Sequence, residues 1–97
     1  MTINKTQNDN SVTLAIVGRL DTTTAPDLEK EIDNVGEIKE LIIDMKELEY
    51  TSSAGLRALL KAQKMMNEKG KMKVINVNET IMEVFDITGF SDMLTIE

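Results

Sequence analysis

The chain has 97 residues, of which 41% are hydrophobic. This is enough to build one small core, so a single domain over residues 1–97 is predicted. A formal net charge of −6 argues against nucleic acid as a partner, because binding to a phosphate backbone depends largely on lysine and arginine. The absence of cysteine and histidine removes disulfides, thiol chemistry and the usual zinc-ligand sets, so neither a metal nor any other cofactor is expected.

The N-terminal segment predicts a β-hairpin. Residues 2–7 and 11–17 both have the composition of strands, and the polar segment 7–10 between them is rich in turn-forming residues. Gly18 is predicted to end the second strand. The two strands should therefore pair with each other before any helix begins.

A first helix is predicted after this hairpin. Thr24 is a candidate N-cap, because Pro26 would stand in the first turn and Asp27 is an acidic residue three positions further on. The apolar residues at helical spacing are Leu28, Ile32 and Val35. Gly36 is predicted to stop the helix.

The middle of the chain predicts a buried strand followed by a long helix. Residues 39–45 contain the uninterrupted apolar run Leu41-Ile42-Ile43, which is typical of a parallel strand that is covered on both faces. A helix is predicted over residues 53–69, with Gly70 as a left-handed residue at its end.

The last third of the chain repeats this alternation. Residues 71–77 are predicted as a strand, Asn78 as the cap of a third helix, and Gly89 as the residue that closes it. The apolar positions of that helix are Ile81, Val84 and Phe85. With a short strand at 93–96 the order becomes ββαβαβαβ, which favours a mixed α/β sheet with right-handed crossovers.

Two serines stand between the third strand and the second helix. A hydroxyl on Ser52 or Ser53 would lie beside unpaired N–H groups and the positive end of the helix dipole, where a phosphate is well tolerated. The competing interpretation is structural: Ser52 would be an N-cap that accepts a backbone N–H bond, and Ser53 a small residue at the helix start. Gly55 is unusual inside a first helical turn, and it is explained if another backbone approaches it closely.

Enzymatic activity is not expected. The run Thr51-Ser52-Ser53-Ala54-Gly55 follows a strand and opens a helix like part of a nucleophile elbow, but a threonine replaces the first glycine of that motif. Without histidine a Ser–His–Asp triad cannot form, which leaves only a serine with a lysine base as an alternative. Because the acidic net charge argues against a nucleic-acid partner, the chain is predicted to bind a protein.

Charged residues surround this junction in the predicted topology. Asp21 and Asp44 both end strands, and the carboxyl ends of parallel strands lie at the edge where the following helices begin, so both are expected near Ser53. Lone aspartates in such places more often support turns or helix starts than bind a metal. Three basic residues share one face of the second helix, namely Arg57, Lys61 and Lys64.

Three segments together resemble the STAS domain, the family of anti-sigma factor antagonists. The central segment comprises Asp44 and the run Tyr50-Thr51-Ser52-Ser53-Ala54-Gly55-Leu56-Arg57. The other two are Gly18-Arg19-Leu20-Asp21 with residues 22–28, and residues 86–90 with Leu94. The resemblance covers nearly the whole chain. It implies a mixed sheet of about five strands, with three or four helices packed mainly on one side.

The resemblance also implies a role for the serines. In this family a serine two residues before the Gly-Leu pair is phosphorylated by a partner kinase; that residue here is Ser53, while Ser52 stands where several members carry Asp. The implied partners are an anti-sigma factor with serine kinase activity, which the unmodified protein would bind to free a sigma factor, and a PP2C-like phosphatase. The implied contact surface comprises Asp21, Thr22, Thr51, Ser52, Ala54, Gly55, Arg57 and Lys61.

A second function stays open beside this one. The chain would then be a constitutive accessory subunit of a transporter or signalling assembly, without regulated phosphorylation. No apolar run approaches the ~20 residues that cross a bilayer, and residues 1–7 lack the apolar core of a signal peptide. A cytoplasmic protein without membrane insertion is therefore expected under both interpretations.

Overall fold

The computed structural model describes all 97 residues, and its elements follow the predicted order except for an additional strand before the second helix and a single bridge in place of the last strand. The strands are β1 (Thr2–Asn8), β2 (Ser11–Leu20), β3 (Glu40–Asp44), β4 (Leu48–Thr51) and β5 (Lys71–Ile75). The helices are α1 (Ala25–Asp33), α2 (Ser53–Lys69) and α3 (Glu79–Thr88), and a 3-10 turn covers Phe90–Asp92. None of the helices combines the length and the apolar character needed to cross a membrane.

The sheet is organised around β2, which is its longest strand with 10 residues. β1 pairs with β2 in antiparallel fashion as the predicted hairpin, with Thr2 opposite Val17 and Asn8 opposite Ser11. On the other side of β2, its first half pairs with β3 and its second half with β4, both in parallel. β5 continues the sheet beyond β3. The second half of β2 therefore extends past β3 to the end of the sheet where β4 lies.

The helices pack on one face of this sheet. Val12, Leu14 and Ile16 are buried and alternate along β2 with half-exposed residues, so one face is covered and the other is open. Ile42 of β3 is half-exposed on the open face, so that strand is not covered on both faces as predicted. The 23 buried hydrophobic residues form one cluster. These observations confirm the predicted α/β domain with a mixed five-stranded sheet and helices on one side.

Gly18 does not end β2, as the sequence predicts, but lies at an irregularity within it. Its φ angle of 102° is readily adopted only by glycine, and the register against β4 shifts between Gly18 and Arg19. The strand then continues to Leu20, which pairs with Thr51 of β4. This continuation carries β2 to the edge of the sheet where α2 begins.

The strand predicted over residues 39–45 is shorter and is followed by a second strand. β3 ends at Asp44, where the Lys46 N–H donates a 3.0 Å hydrogen bond to the Asp44 carboxylate and the chain turns. β4 then begins at Leu48. The sequence does not predict this strand, because its buried residues are its first and last, Leu48 and Thr51, and do not alternate.

The last two predicted strands are also shorter in the structure. The strand predicted over residues 71–77 stops at Ile75, after five residues. The one predicted over residues 93–96 is a single parallel bridge between Val74 and Ile96. The C-terminal segment therefore covers only one rung of the outer edge of β5.

Asn78 and Gly89 behave as predicted at the two ends of α3, whereas α1 already ends at Asp33, before the predicted stop at Gly36. The Asn78 side chain caps α3 by accepting a 2.9 Å hydrogen bond from the Ile81 N–H, and Gly89 closes that helix in the left-handed conformation with φ 81°. Gly70 is not left-handed, because its φ of 176° is extended. Its lack of a side chain has a different cause: a Cβ atom there would collide with the backbone carbonyl of Lys39.

Candidate functional site

The ends of β2 and β4 lie side by side and place the predicted site at one edge of the sheet. Leu20 is opposite Thr51, and the Ser52 N–H donates a 2.9 Å hydrogen bond to the Leu20 carbonyl. Asp21 directly follows Leu20, and Ser53 directly follows Ser52. The structure therefore brings Asp21 and Ser53 to the same edge of the sheet.

Ser53 is the first residue of α2, and it is exposed. The Leu56 N–H makes the first helical hydrogen bond, to the Ser52 carbonyl at 3.0 Å, so the N–H groups before it have no partner within the helix. No acidic residue stands in this first turn. The unpaired donors and the helix dipole together favour a negatively charged group on the Ser53 hydroxyl.

Ser52 occupies the N-cap position of α2, but its side chain does not cap the helix. Its backbone is extended, with φ −98° and ψ 177°, as is usual for an N-cap, yet its hydroxyl makes no capping hydrogen bond. The hydroxyl oxygen is buried without any hydrogen-bond partner. The capping role predicted for the Ser52 side chain is therefore wrong, and an unpaired buried hydroxyl lowers the stability of the fold.

Gly55 and Thr51 lie beneath the surface. A Cβ atom at Gly55 would lie 2.6 Å from both the Leu20 Cγ atom and the Thr51 Oγ1 atom, so two side chains require this glycine rather than the predicted close backbone. Thr51 is only 6% exposed, and Gly55 is also buried. Thr51, Gly55 and the Leu20 side chain therefore pack together where the start of α2 meets the strand ends.

The segment after β2 is a hydrogen-bonded loop around Asp21. One carboxylate oxygen of Asp21 accepts hydrogen bonds from the Thr23 hydroxyl (2.7 Å), the Thr23 N–H (3.0 Å) and the Thr24 N–H (3.2 Å). These bonds, above all the one from the Thr23 hydroxyl, lower the pKa of Asp21 below its ordinary value. The Asp21 carboxylate is therefore ionised at neutral pH, and the neighbouring Thr22 is exposed.

Thr24 is the N-cap residue of α1, as predicted, but its hydroxyl is turned back toward this loop. It accepts a hydrogen bond from the Asp21 N–H at 2.8 Å and donates one to the Arg19 carbonyl at 2.9 Å. It makes no capping bond to α1. The Thr24 side chain thus holds the loop to the end of β2 and fixes the place of Asp21.

Asp44 does not join the site, although the sequence places it near Ser53. It pairs with Ala15 in the middle of β2, six residues before Asp21. Its carboxylate accepts a 3.0 Å hydrogen bond from the Lys46 N–H and a 2.9 Å hydrogen bond from the Asn76 side chain. Asp44 therefore supports the turn after β3, because β4 separates the end of β3 from the start of α2.

The exposed face of α2 is basic. Its basic residues are Arg57, Lys61, Lys64 and Lys69, and Glu68 is its single acidic residue, in a chain whose net charge is −6. Arg57, Lys61 and Lys64 are exposed, and Ala54 is half-buried in the first turn. The structure contains one ion pair, between Lys71 and Glu40 at 3.8 Å, so no residue of the α2 face has a carboxylate partner.

An exposed cation–π pair beside the site was not predicted from the sequence. The Arg19 guanidinium lies 4.2 Å from the centroid of the Tyr50 ring, and the two residues are opposite each other in β2 and β4. Tyr50 is 41% exposed. Recognising β4 as a strand would have paired Tyr50 with β2 and revealed this contact.

No group of three or more acidic, histidine or cysteine side chains is arranged to hold a metal ion. The chemistry that the site offers is therefore that of an exposed hydroxyl, an ionised carboxylate and a basic helix face. Such a surface suits contact with another protein, with Ser53 open to modification.

Sequence comparison gives a family for this chain. The profile of the STAS domain matches residues 2–97. An anti-sigma-B factor antagonist of Bacillus subtilis (strain 168) is 33% identical over an alignment of 92 residues that covers 93% of this chain and 84% of that relative.

Solved structures share the fold. An anti-sigma factor antagonist from Mycobacterium paratuberculosis superposes with a TM-score of 0.89 at 23% identity, covering 98% of this chain and 83% of that one. The antagonist SpoIIAA superposes in its unphosphorylated form with a TM-score of 0.79 at 16% identity, covering 99% and 87% of the two chains. Its phosphorylated form gives 0.77 at 17% identity, covering 99% and 91%. At sequence identities below 25%, the structural likeness establishes the shared fold alone.

Proposed function

The chain belongs to the STAS domain family, and from this membership we propose that it acts as an anti-sigma factor antagonist controlled by phosphorylation of Ser53. In this proposal the unmodified protein binds an anti-sigma factor that is also a serine kinase, and that anti-sigma factor then releases its sigma factor. A PP2C-like phosphatase removes the phosphate and restores the binding form. In this proposal the protein acts in the cytoplasm.

The observation that carries the proposal is the exposed Ser53 hydroxyl at the start of α2, at the same edge of the sheet as the ionised Asp21. The hydroxyl is open to a kinase, while Ser52 beside it has a buried hydroxyl that is not. This difference favours Ser53 over Ser52 as the phosphate acceptor.

The phosphorylation step uses ATP bound to the kinase. The Ser53 Oγ atom attacks the γ-phosphorus, the bond from that phosphorus to the β–γ bridging oxygen breaks, and ADP leaves. The hydroxyl proton passes to a base or to solvent on the kinase side. Dephosphorylation is a separate hydrolysis, in which water attacks the phosphorus, the bond from the phosphorus to the Ser53 Oγ atom breaks, and the Ser53 hydroxyl is regenerated with inorganic phosphate as product.

The switch follows from charge and needs no change of fold. A phosphate adds about −1.5 to −2 charges at neutral pH and three acceptor oxygens. The first turn of α2 accommodates this charge, because its N–H groups are unpaired and it holds no acidic residue. A partner that packs against both Ser53 and Asp21 would instead meet new bulk and a second negative charge beside the existing carboxylate.

The contact surface that we propose is smaller than the sequence suggested. It comprises the exposed or half-buried residues Asp21, Thr22, Ser52, Ser53, Ala54, Arg57 and Lys61. Thr51 and Gly55 support this surface from below.

The proposal is tested by measuring the affinity of variants for the anti-sigma factor kinase of the same organism. Ser53→Ala should bind like the unmodified protein, and Ser53→Asp should bind at least tenfold more weakly, which corresponds to about 1.4 kcal/mol. Asn8→Asp is the matched control, because it adds the same charge at an exposed position at the far end of β1. Equal binding by all variants would contradict the switch and favour a constitutive accessory subunit.

A further inference from the structure

Arg57 lies one helical turn after Ser53 on the same face of α2, and both residues are exposed. Side chains four residues apart in a helix have Cβ atoms about 5–6 Å apart. Helical side chains also lean toward the N-terminus of their helix, so the direction of Arg57 is toward the turn that Ser53 begins. A group attached to the Ser53 hydroxyl would therefore lie within hydrogen-bonding reach of the Arg57 guanidinium.

Arg57 has no negative partner in the unmodified protein. No carboxylate lies within 4 Å of it, and the first turn of α2 contains no acidic residue. The residue four positions further on is Lys61, whose like charge is unfavourable at this spacing. Arg57 thus has no negative group beside it in the unmodified protein, and a phosphate on Ser53 would supply one.

We propose that Arg57 binds the phosphate of phosphorylated Ser53 within the same chain. The guanidinium donates two N–H groups to phosphate oxygens, a geometry that arginine forms readily. The inference rests on the proposed modification of Ser53 and adds a second effect to it. Phosphorylation introduces negative charge beside Asp21 and at the same time withdraws Arg57 from the basic face offered to a partner.

The other basic side chains near the site are less suited to this role. Lys61 is eight residues from Ser53, which is about 12 Å along the helix axis. The Arg19 guanidinium is stacked on the Tyr50 ring at 4.2 Å, and it would lose that contact by moving to the phosphate. Arg57 alone combines the helical spacing with a free guanidinium.

The test uses the full chain with phosphoserine incorporated at position 53 during synthesis, so it needs neither the kinase nor the partner. Phosphorus NMR follows the second ionisation of the phosphate as pH is varied. The variants are Arg57→Gln, which removes the charge, Arg57→Lys, which keeps it without the planar fork, and Lys64→Gln as the matched control. Lys64 lies on the same exposed face, but 11 residues from position 53.

We expect the phosphate pKa to be about 0.2–0.4 units higher in Arg57→Gln than in the parent, because an ion pair at this spacing favours the doubly charged form. Arg57→Lys should lie between the two, and Lys64→Gln should match the parent. High salt should reduce the difference, since the pair is exposed. The same pKa in the parent and in Arg57→Gln at low salt would overturn the inference.

This result is independent of the proposed function. An Arg57-dependent phosphate pKa in a protein whose phosphorylated and unmodified forms bind the kinase equally would support the intramolecular pair and contradict the switch. An unchanged phosphate pKa combined with weaker binding of the phosphorylated form would keep the switch and reject the pair.

Discussion

The backbone N–H of Ser52 donates a 2.9 Å hydrogen bond to the carbonyl of Leu20, and this bond joins the start of α2 to the end of β2. The Leu20 side chain also fills the space beside Gly55, which lies in the first turn of the helix. A single strand end therefore positions both the Asp21 loop that follows it and the helix that carries Ser53.

Gly55→Ala should destabilise the protein, although alanine is the better helix former. The added methyl group would lie 2.6 Å from Leu20 Cγ and from Thr51 Oγ1, and overpacking of this kind costs about 1–3 kcal/mol. The gain in helix propensity offsets about 0.5–1 kcal/mol of that cost. Urea unfolding should show a net loss, whereas Lys61→Ala on the exposed face should stay within about 0.5 kcal/mol of the parent. A Gly55→Ala variant as stable as the parent would refute the close packing.

Ser52→Ala should leave stability unchanged or raise it by up to about 1 kcal/mol, because the hydroxyl it removes is buried without a partner. Asn78→Ala is the comparison, since Asn78 occupies the same position in α3 and makes a capping bond to the Ile81 N–H. Its loss should cost about 1–2 kcal/mol. Thermal unfolding of both variants distinguishes them, and a comparable loss from Ser52→Ala would mean that its hydroxyl does cap α2.

Thr23→Val should raise the pKa of Asp21 toward its ordinary value. The hydrogen bond from the Thr23 hydroxyl is the largest cause of the lowered pKa, and valine keeps the shape of threonine without the donor. NMR titration of the Asp21 carboxyl measures the change. Thr22→Val is the control, because the Thr22 hydroxyl donates no hydrogen bond to Asp21; an unchanged pKa in Thr23→Val would remove the hydroxyl as the cause.

The same lowered pKa gives stability a pH dependence of known sign. The folded-state pKa of Asp21 lies below its unfolded value, so its contribution is fully present above the unfolded pKa of about 3.9 and is lost as pH falls through the folded pKa. Asp21→Asn should therefore reduce the loss of stability on acidification over this range. An identical acid profile in parent and Asp21→Asn would contradict the assignment.

Most of the fold follows from local sequence signals, and the site does so only in part. The alternation of strands and helices is predicted because apolar periodicity and turn residues mark nearly every element, as at the Asn78 cap and at Gly89. The strand β4 is not predicted, because its buried residues do not alternate once the register against β2 shifts near Gly18. Because β4 was not predicted, Asp44 was expected beside Ser53. In the structure the four residues of β4 lie between the end of β3 at Asp44 and the start of α2 at Ser53.

Burial separates the residues of the serine run in a way that the sequence does not reveal. Ser53 is exposed, yet its neighbours Thr51 and Gly55 are buried and the Ser52 hydroxyl is hidden. Leu20, whose side chain lies against Gly55, is distant in sequence and reaches the run only through strand pairing. Single-residue signals such as a serine before a helix carry no information about that contact.

Phosphate mapping in the native host tests the central claim most directly. The protein is purified with phosphatase inhibitors from cells grown with and without stress, and its intact mass and modified peptides are determined. We expect a phosphate-sized addition that localises to Ser53 and changes in amount between the two conditions. Absence of the addition under every condition, or its location on a different residue, would contradict a switch centred on Ser53.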